Sequence, residues 1–113
     1  LHSVDSISAE EFSSIYKEDN SIHIVDVRKI NEYNIHHIVG AKLSSLDNIH
    51  YQHDKLTKLN KNFIHCAAGY RSVIAISLLK KQGINNLINV EGGFGAIKET
   101  TIPLTDFICS TTL

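Results

Sequence analysis

Methionine is absent from this 113-residue chain, even at its first position, so the sequence is expected to be part of a longer protein. Cysteine is scarce: Cys66 and Cys109 alone do not make a disulfide framework, and the expected setting is reducing and cytoplasmic. Charge of one sign is lacking too. With 11 basic and 12 acidic side chains and no long block of either, the chain offers no polyelectrolyte face, which argues against nucleic acid or a membrane surface as a partner. No apolar run approaches the roughly 20 residues that a membrane helix needs, and Leu1-His2-Ser3-Val4-Asp5 lacks the pattern of a signal peptide. There is no repeat and no low-complexity segment. The length suits one domain over residues 1–113, with a core over about 5–100 and an irregular tail at 101–113.

What is present alternates. Ser8-Ala9-Glu10-Glu11 is a capping-box pattern and predicts a helix running to about Tyr16, with Phe12, Ile15 and Tyr16 inward. Ile22 to Val27 is rich in β-branched residues and predicts a buried strand ending at Asp26 and Arg28. A short helix over Lys29 to Asn34, a turn through His36 and His37 and a brief strand over Gly40 to Leu43 follow. Ser44 to Asn60 reads as loop with a helical turn or two, and Phe63 to His65 as another strand. Val73, Ile74, Ile76, Leu78 and Leu79 mark a helix stopped by Gly83; Leu87 to Val90 is a strand, and Glu91-Gly92-Gly93-Phe94 turns into a last short helix. This order implies an α/β fold, with βαβ crossovers, a mainly parallel sheet and helices on both faces. Ligands in such sheets bind at the C-terminal ends of strands, where Asp26, Cys66 and Gly92-Gly93 all fall.

Cys66-Ala67-Ala68-Gly69-Tyr70-Arg71 carries the chemistry. It places a thiol at a strand-to-helix turn whose small residues leave backbone N–H groups free to face an anion, with Gly69 permitting a positive φ where the loop curls. Such a cradle, with Arg71 close by, should depress the thiol pKa and make Cys66 a nucleophile. A buried structural cysteine is the bland alternative, but it does not account for the glycine and the arginine.

Asp26-Val27-Arg28, then Glu32-Tyr33, then His37-Ile38-Val39-Gly40-Ala41 resembles the first signature of the rhodanese domain, the sulfurtransferase module; Glu91-Gly92-Gly93-Phe94 resembles the second. With the cysteine loop, these motifs span roughly residues 22–97. The resemblance implies a doubly wound rhodanese-like fold; no cofactor and no metal site are expected. It implies that Cys66 forms a persulfide, that the backbone of Ala67, Ala68, Gly69, Tyr70 and Arg71 binds the outer sulfur, and that Arg71 assists anionic donors such as thiosulfate. Asp26, Arg28 and Glu32 would be structural support, Arg28 pairing with Glu32. The implied partners are a small sulfur donor and a thiol acceptor. Val39 stands where the family commonly has proline and Ile97 where it often has tryptophan; both departures touch only the packing of turns. The Gly69-Tyr70-Arg71-Ser72 loop, the Gly-Gly-Phe turn and the Pro103-Leu104-Thr105-Asp106 tail also resemble the C-terminal rhodanese domain of bacterial metallo-β-lactamase-fold hydrolases, some of them persulfide dioxygenases. That narrower likeness implies a fused hydrolase domain holding the iron or zinc.

Two other functions stay open: a low-turnover persulfide delivery or interaction module, and a phosphatase or arsenate reductase. The last is disfavoured by loop length. Related folds that act on phosphate or arsenate use Cys-x5-Arg, whereas here the arginine arrives after four residues and the smaller loop suits one sulfur atom. Among the histidines, His50 and His53 have a metal-like spacing without further ligands, and read as a solvated pair. His65 should point away from the Cys66 side chain on an alternating strand and reads as a buried structural residue. Tyr70 is read equally as an exposed aromatic and as part of the pocket mouth. Cys109 reads as packed in the tail, not as a resolving thiol.

Overall fold

Five parallel strands form the centre of the molecule in the computed structural model, which describes residues 4–19, 21–45, 56 and 60–105. In chain order the elements are β1 (Ser6–Ile7), α1 (Ala9–Glu18), β2 (His23–Asp26), α2 (Ile30–Ile35), β3 (His37–Ile38), β4 (Lys42–Leu43), β5 (Asn62–His65), α3 (Tyr70–Lys81), β6 (Leu87–Val90), α4 (Gly93–Ile97) and β7 (Leu104–Thr105). The sheet order is β1-β6-β5-β2-β4, every neighbouring pair parallel, so the strand leading into Cys66 lies in the middle. This is the expected α/β, doubly wound arrangement.

The period of two along the strands divides the core. Ile24, Phe63 and Val90 face α1 and α4, where they meet Phe12, Tyr16 and Ile97. Val25, Ile64 and Leu87 face α3, where they meet Ala75, Ile76 and Leu79. Helix α1 starts as its sequence suggests, with Ser8 Oγ accepting from the Glu11 N–H at 3.1 Å. The α2 helix buries no side chain; it is held from outside, by Tyr33 Oη donating to the Ala41 carbonyl at 2.7 Å and by a Tyr33–His37 ring stack with centroids 3.7 Å apart.

Three short strands depart from the expected pattern. β1 pairs with β6 ahead of the first helix. His37–Ile38, expected as a turn, pairs antiparallel with Leu104–Thr105 of the tail, expected to be irregular. Each is a two-residue strand, too short to show an alternation, and its pairing partner lies more than sixty residues away. Residues 101–105 are thereby held onto the body, with Ile102 buried against the α1 and α4 side. No helix among the described residues is long and apolar enough to cross a membrane.

Candidate active site

In the sheet order, β2 and β5 are neighbours from which the chain departs in opposite directions, through α2 to β4 and through α3 to β6. A crevice opens at such a divergence, beyond the strand ends. Cys66 sits there, one residue after β5, 1% exposed.

The loop curls because Gly69 takes φ 105° as the N-cap of α3, a left-handed conformation that disfavours a side chain. The curl brings the Gly69 N–H to 3.0 Å from Sγ, and the thiol donates to Ser72 Oγ at 3.6 Å. Burial pushes the Cys66 thiol up, but hydrogen bonds from the Ser72 backbone and hydroxyl and from the Gly69 and Ala68 backbone outweigh it, so the pKa lies below that of an ordinary thiol. These donors shift Cys66 towards the thiolate relative to an ordinary thiol.

The loop is propped from behind. The Phe94 N–H donates to the Cys66 carbonyl at 2.6 Å and the Gly95 N–H to the Ala67 carbonyl at 3.0 Å, so the first turn of α4 fixes the backbone around Cys66. Gly93 makes this approach possible: at φ 59° it has no Cβ, and one built there would collide with the Cys66 carbonyl oxygen and lie 2.8 Å from the Ala67 carbonyl carbon. The Gly-Gly-Phe motif is thus the seat of the cysteine loop.

Of the six loop residues, Cys66, Ala68 and Gly69 are brought together at the sulfur. The Ala67 carbonyl is spent on α4, and Tyr70 stands at the surface, 80% exposed. Ser72, outside the expected site, faces Sγ with its hydroxyl and its N–H. Behind it lies a relay that runs from the interior to the surface: Ser72 Oγ donates to Asn89 Oδ1 at 2.6 Å, and Asn89 Nδ2 donates to the exposed Ser6 Oγ at 3.2 Å. The inward, α3-facing register of Asn89 in an otherwise apolar strand is the sequence signal for it.

The expected Arg28–Glu32 pair is replaced by two others. Arg28 folds back on Asp26, its Nη2 2.7 Å from Oδ2, and its Nη2 also donates to the His36 carbonyl at 2.6 Å. Both side chains are buried, where a charge needs an immediate countercharge, and two residues of separation provide it. The Arg28 guanidinium also lies over the Phe94 ring, 4.1 Å from its centroid. Glu32, on the first turn of α2, reaches across the crevice to Arg71: Nη1 to Oε1 is 2.8 Å and Nη2 to Oε2 is 3.1 Å. The Arg71 hydrogen bonds outweigh partial burial and hold the Glu32 carboxyl down at about 2, and Glu32 in turn raises the Arg71 guanidinium.

His65 is fully buried on the face of the sheet opposite to Cys66, consistent with its place on an alternating strand. Its Nδ1 lies 3.2 Å from the Cys66 carbonyl and its Nε2 3.8 Å from Asp26 Oδ2, with no hydrogen-bond partner for Nε2 among the described residues. His50, His53 and Cys109 lie outside the described residues; within them, no three His, Cys, Asp or Glu side chains are grouped to hold a metal.

Comparison with known proteins gives concordant results. Residues 8–100 match the family model described as Rhodanese-like domain. A putative sulfur carrier protein of Bacillus subtilis, YrkF, is 36% identical over 91 residues, which are 80% of this chain and 49% of that protein. A probable adenylyltransferase/sulfurtransferase of Mycobacterium tuberculosis, MoeZ, is 30% identical over 92 residues, 80% of this chain and 24% of that protein. The chain thus spans about half or less of the length of these two relatives. Among solved structures, a rhodanese-like domain protein from Staphylococcus aureus superposes with a TM-score of 0.79 at 32% identity, covering 88% of this chain and 97% of that one. With a cysteine loop seated on a Gly-Gly-Phe helix at the end of a central parallel strand, the chain belongs to the rhodanese-like domain family.

Proposed function

We propose that this chain is a sulfurtransferase domain in which Cys66 carries a sulfane sulfur between a small donor and a thiol acceptor. The observation that carries the reading is the thiol itself: buried, lowered in pKa and surrounded by N–H donors in a loop of six residues. Relatives named as a sulfur carrier and a sulfurtransferase support sulfur transfer as the class of reaction. With thiosulfate, the Cys66 thiolate attacks the outer sulfur, a Cys66 S–S bond forms, the donor S–S bond breaks, and its electron pair leaves on sulfite. With a hydropersulfide donor, the electron pair leaves on the donor's thiolate. An acceptor thiolate then attacks the terminal sulfur of the protein persulfide, and the bonding pair returns to Cys66. No oxidant or reductant is consumed. The cradle stabilises the anion at both stages, as a thiolate and as a persulfide one bond longer.

Incubation with thiosulfate or a persulfide donor followed by intact mass spectrometry is expected to show one added sulfur, absent in Cys66→Ser. No adduct from either donor would refute the reading. The carrier name of the Bacillus relative favours a second version, in which the domain holds and delivers sulfur within a longer protein with little turnover of its own. Stoichiometric loading with negligible multiple-turnover release to small thiols would select that version.

A further inference from the structure

The chain has only two arginines, and each is committed to a carboxylate: Arg28 to Asp26 in the interior, and Arg71 to Glu32 at the crevice. The second pair matters for donors. Arg71 is the cation of the cysteine loop and lies close enough to Cys66 for the thiolate charge to raise its own basicity. Yet both of its terminal nitrogens are taken by the two Glu32 oxygens, in the fork geometry that would otherwise grip the sulfite end of thiosulfate. The pair spans the divergence between β2 and β5, one partner on the first turn of each helix leaving it. Glu32 is itself held in place, accepting from the Lys29 N–H at 3.0 Å.

We infer that Glu32 is a specificity-determining residue of this site: by occupying and neutralising Arg71 it disfavours dianionic donors such as thiosulfate and biases the domain towards hydropersulfides of low charge. The inference rests on the sulfur-transfer reading above. A guanidinium paired this way presents almost no net charge to a dianion arriving at the mouth. Thiosulfate must either bind without a countercharge or break two charge-assisted hydrogen bonds first. A hydropersulfide brings its sulfur to the N–H cradle and asks nothing of Arg71. The sulfite leaving group makes the asymmetry larger, since it departs carrying two negative charges beside the Glu32 carboxylate.

The test compares kcat/KM for thiosulfate and for 2-mercaptoethanol hydropersulfide in the wild-type domain, Glu32→Gln and Glu32→Asp, with sulfur loading of Cys66 followed by mass in each. Gln keeps an oxygen for the Lys29 N–H while removing the charge, and Asp keeps the charge. In Glu32→Gln the thiosulfate value is expected to rise about tenfold and that for the hydropersulfide to stay within about twofold, the size of one unscreened charge near a dianion. The Glu32→Asp ratio should stay near wild type. Added salt should depress thiosulfate turnover in Glu32→Gln and hardly change it in the wild type. An unchanged donor ratio in Glu32→Gln, an equal fall with both donors, or Glu32→Asp behaving as Glu32→Gln would overturn the inference while leaving sulfur transfer standing. Absence of sulfur on wild-type Cys66 from either donor would remove the underlying reading instead. Should Glu32→Gln fail to fold, the wild type still decides: a steep loss of thiosulfate turnover with salt would show a mouth that is not neutral.

Discussion

At Cys66 the opposing effects are burial, which favours the neutral thiol, and directed donors, which favour the thiolate; the donors win. Ser72 is the donor that a single substitution can remove. Its one hydroxyl proton is engaged by Asn89 at 2.6 Å while the thiol is protonated, and it can turn to the sulfur when the thiol ionises. In a Cys109→Ser background, where Cys66 is the sole thiol, the rate of iodoacetamide alkylation should inflect at a lower pH in the folded domain than in the same chain unfolded in urea. Ser72→Ala should move that inflection upward and slow alkylation at neutral pH about fivefold, the cost of one charge-assisted hydrogen bond shared among several donors. A profile coincident with the parent would deny Ser72 this role. The strand-to-helix turn at Cys66 and its curl at Gly69 were legible in the sequence, because an apolar run, a glycine and a helical period follow one another at short spacing. Ser72 and Asn89 were not, since a serine inside a helix and an asparagine inside a strand become a pair only when β6 is packed against α3.

Among the described elements, α4 is the shortest helix and the one that touches the cysteine loop directly. Its N–H groups from Phe94 and Gly95 hold the carbonyls of Cys66 and Ala67, and Gly93 is the point of closest approach. Gly93→Ala should therefore destabilise the fold by about 3 kcal/mol, the range for a left-handed position combined with a backbone collision. It should also raise the Cys66 pKa by letting the loop drift, and both readouts come from urea unfolding and the alkylation profile. A fold as stable as the parent would show that α4 yields freely. Helices α2 and α3 are joined in another way, by Glu32 and Arg71. Because the folded Glu32 carboxyl titrates at about 2 against 4.5 for the free group, this link contributes fully above pH 4.5 and is lost as pH falls towards 2. Wild type and Glu32→Gln should therefore differ in unfolding midpoint at neutral pH and converge in acid. A difference that persists at pH 2 would assign it to packing. The long strands and helices were legible because β-branched runs and helical periods repeat over four residues or more. The true partners of Arg28 and Glu32 were not: the family resemblance implied that they pair with each other, whereas Arg28 turns inward to Asp26 and α2 presents Glu32 to Arg71.

For the molecule as a whole, the two faces of β5 hold different sets of polar residues: Cys66, Ser72 and Asn89 lie towards α3, and His65, Asp26 and Arg28 are buried on the other face beside half-buried Phe94. His65 is the member whose protonation the fold resists. Burial is the largest influence and lowers its pKa, the neighbouring Asp26 charge opposes that, and Arg28 adds to it. An unfolded histidine takes up a proton near 6.5, the folded one only below that, so the unfolded state binds more protons as pH falls past 6.5 and stability declines with it. One such group can supply at most about 1.4 kcal/mol per pH unit. In His65→Gln that contribution disappears. Urea midpoints measured between pH 7.5 and 5 should fall in the wild type and fall less steeply in the variant, even if the variant is less stable at pH 7.5. Parallel curves would mean that His65 titrates alike in the folded and unfolded chain, and that acid sensitivity in this window arises elsewhere. Because His65 meets Cys66 at its carbonyl and not at Sγ, sulfur loading of His65→Gln should stay close to wild type at pH 7.5, so that the stability of this domain can be varied without its sulfur loading.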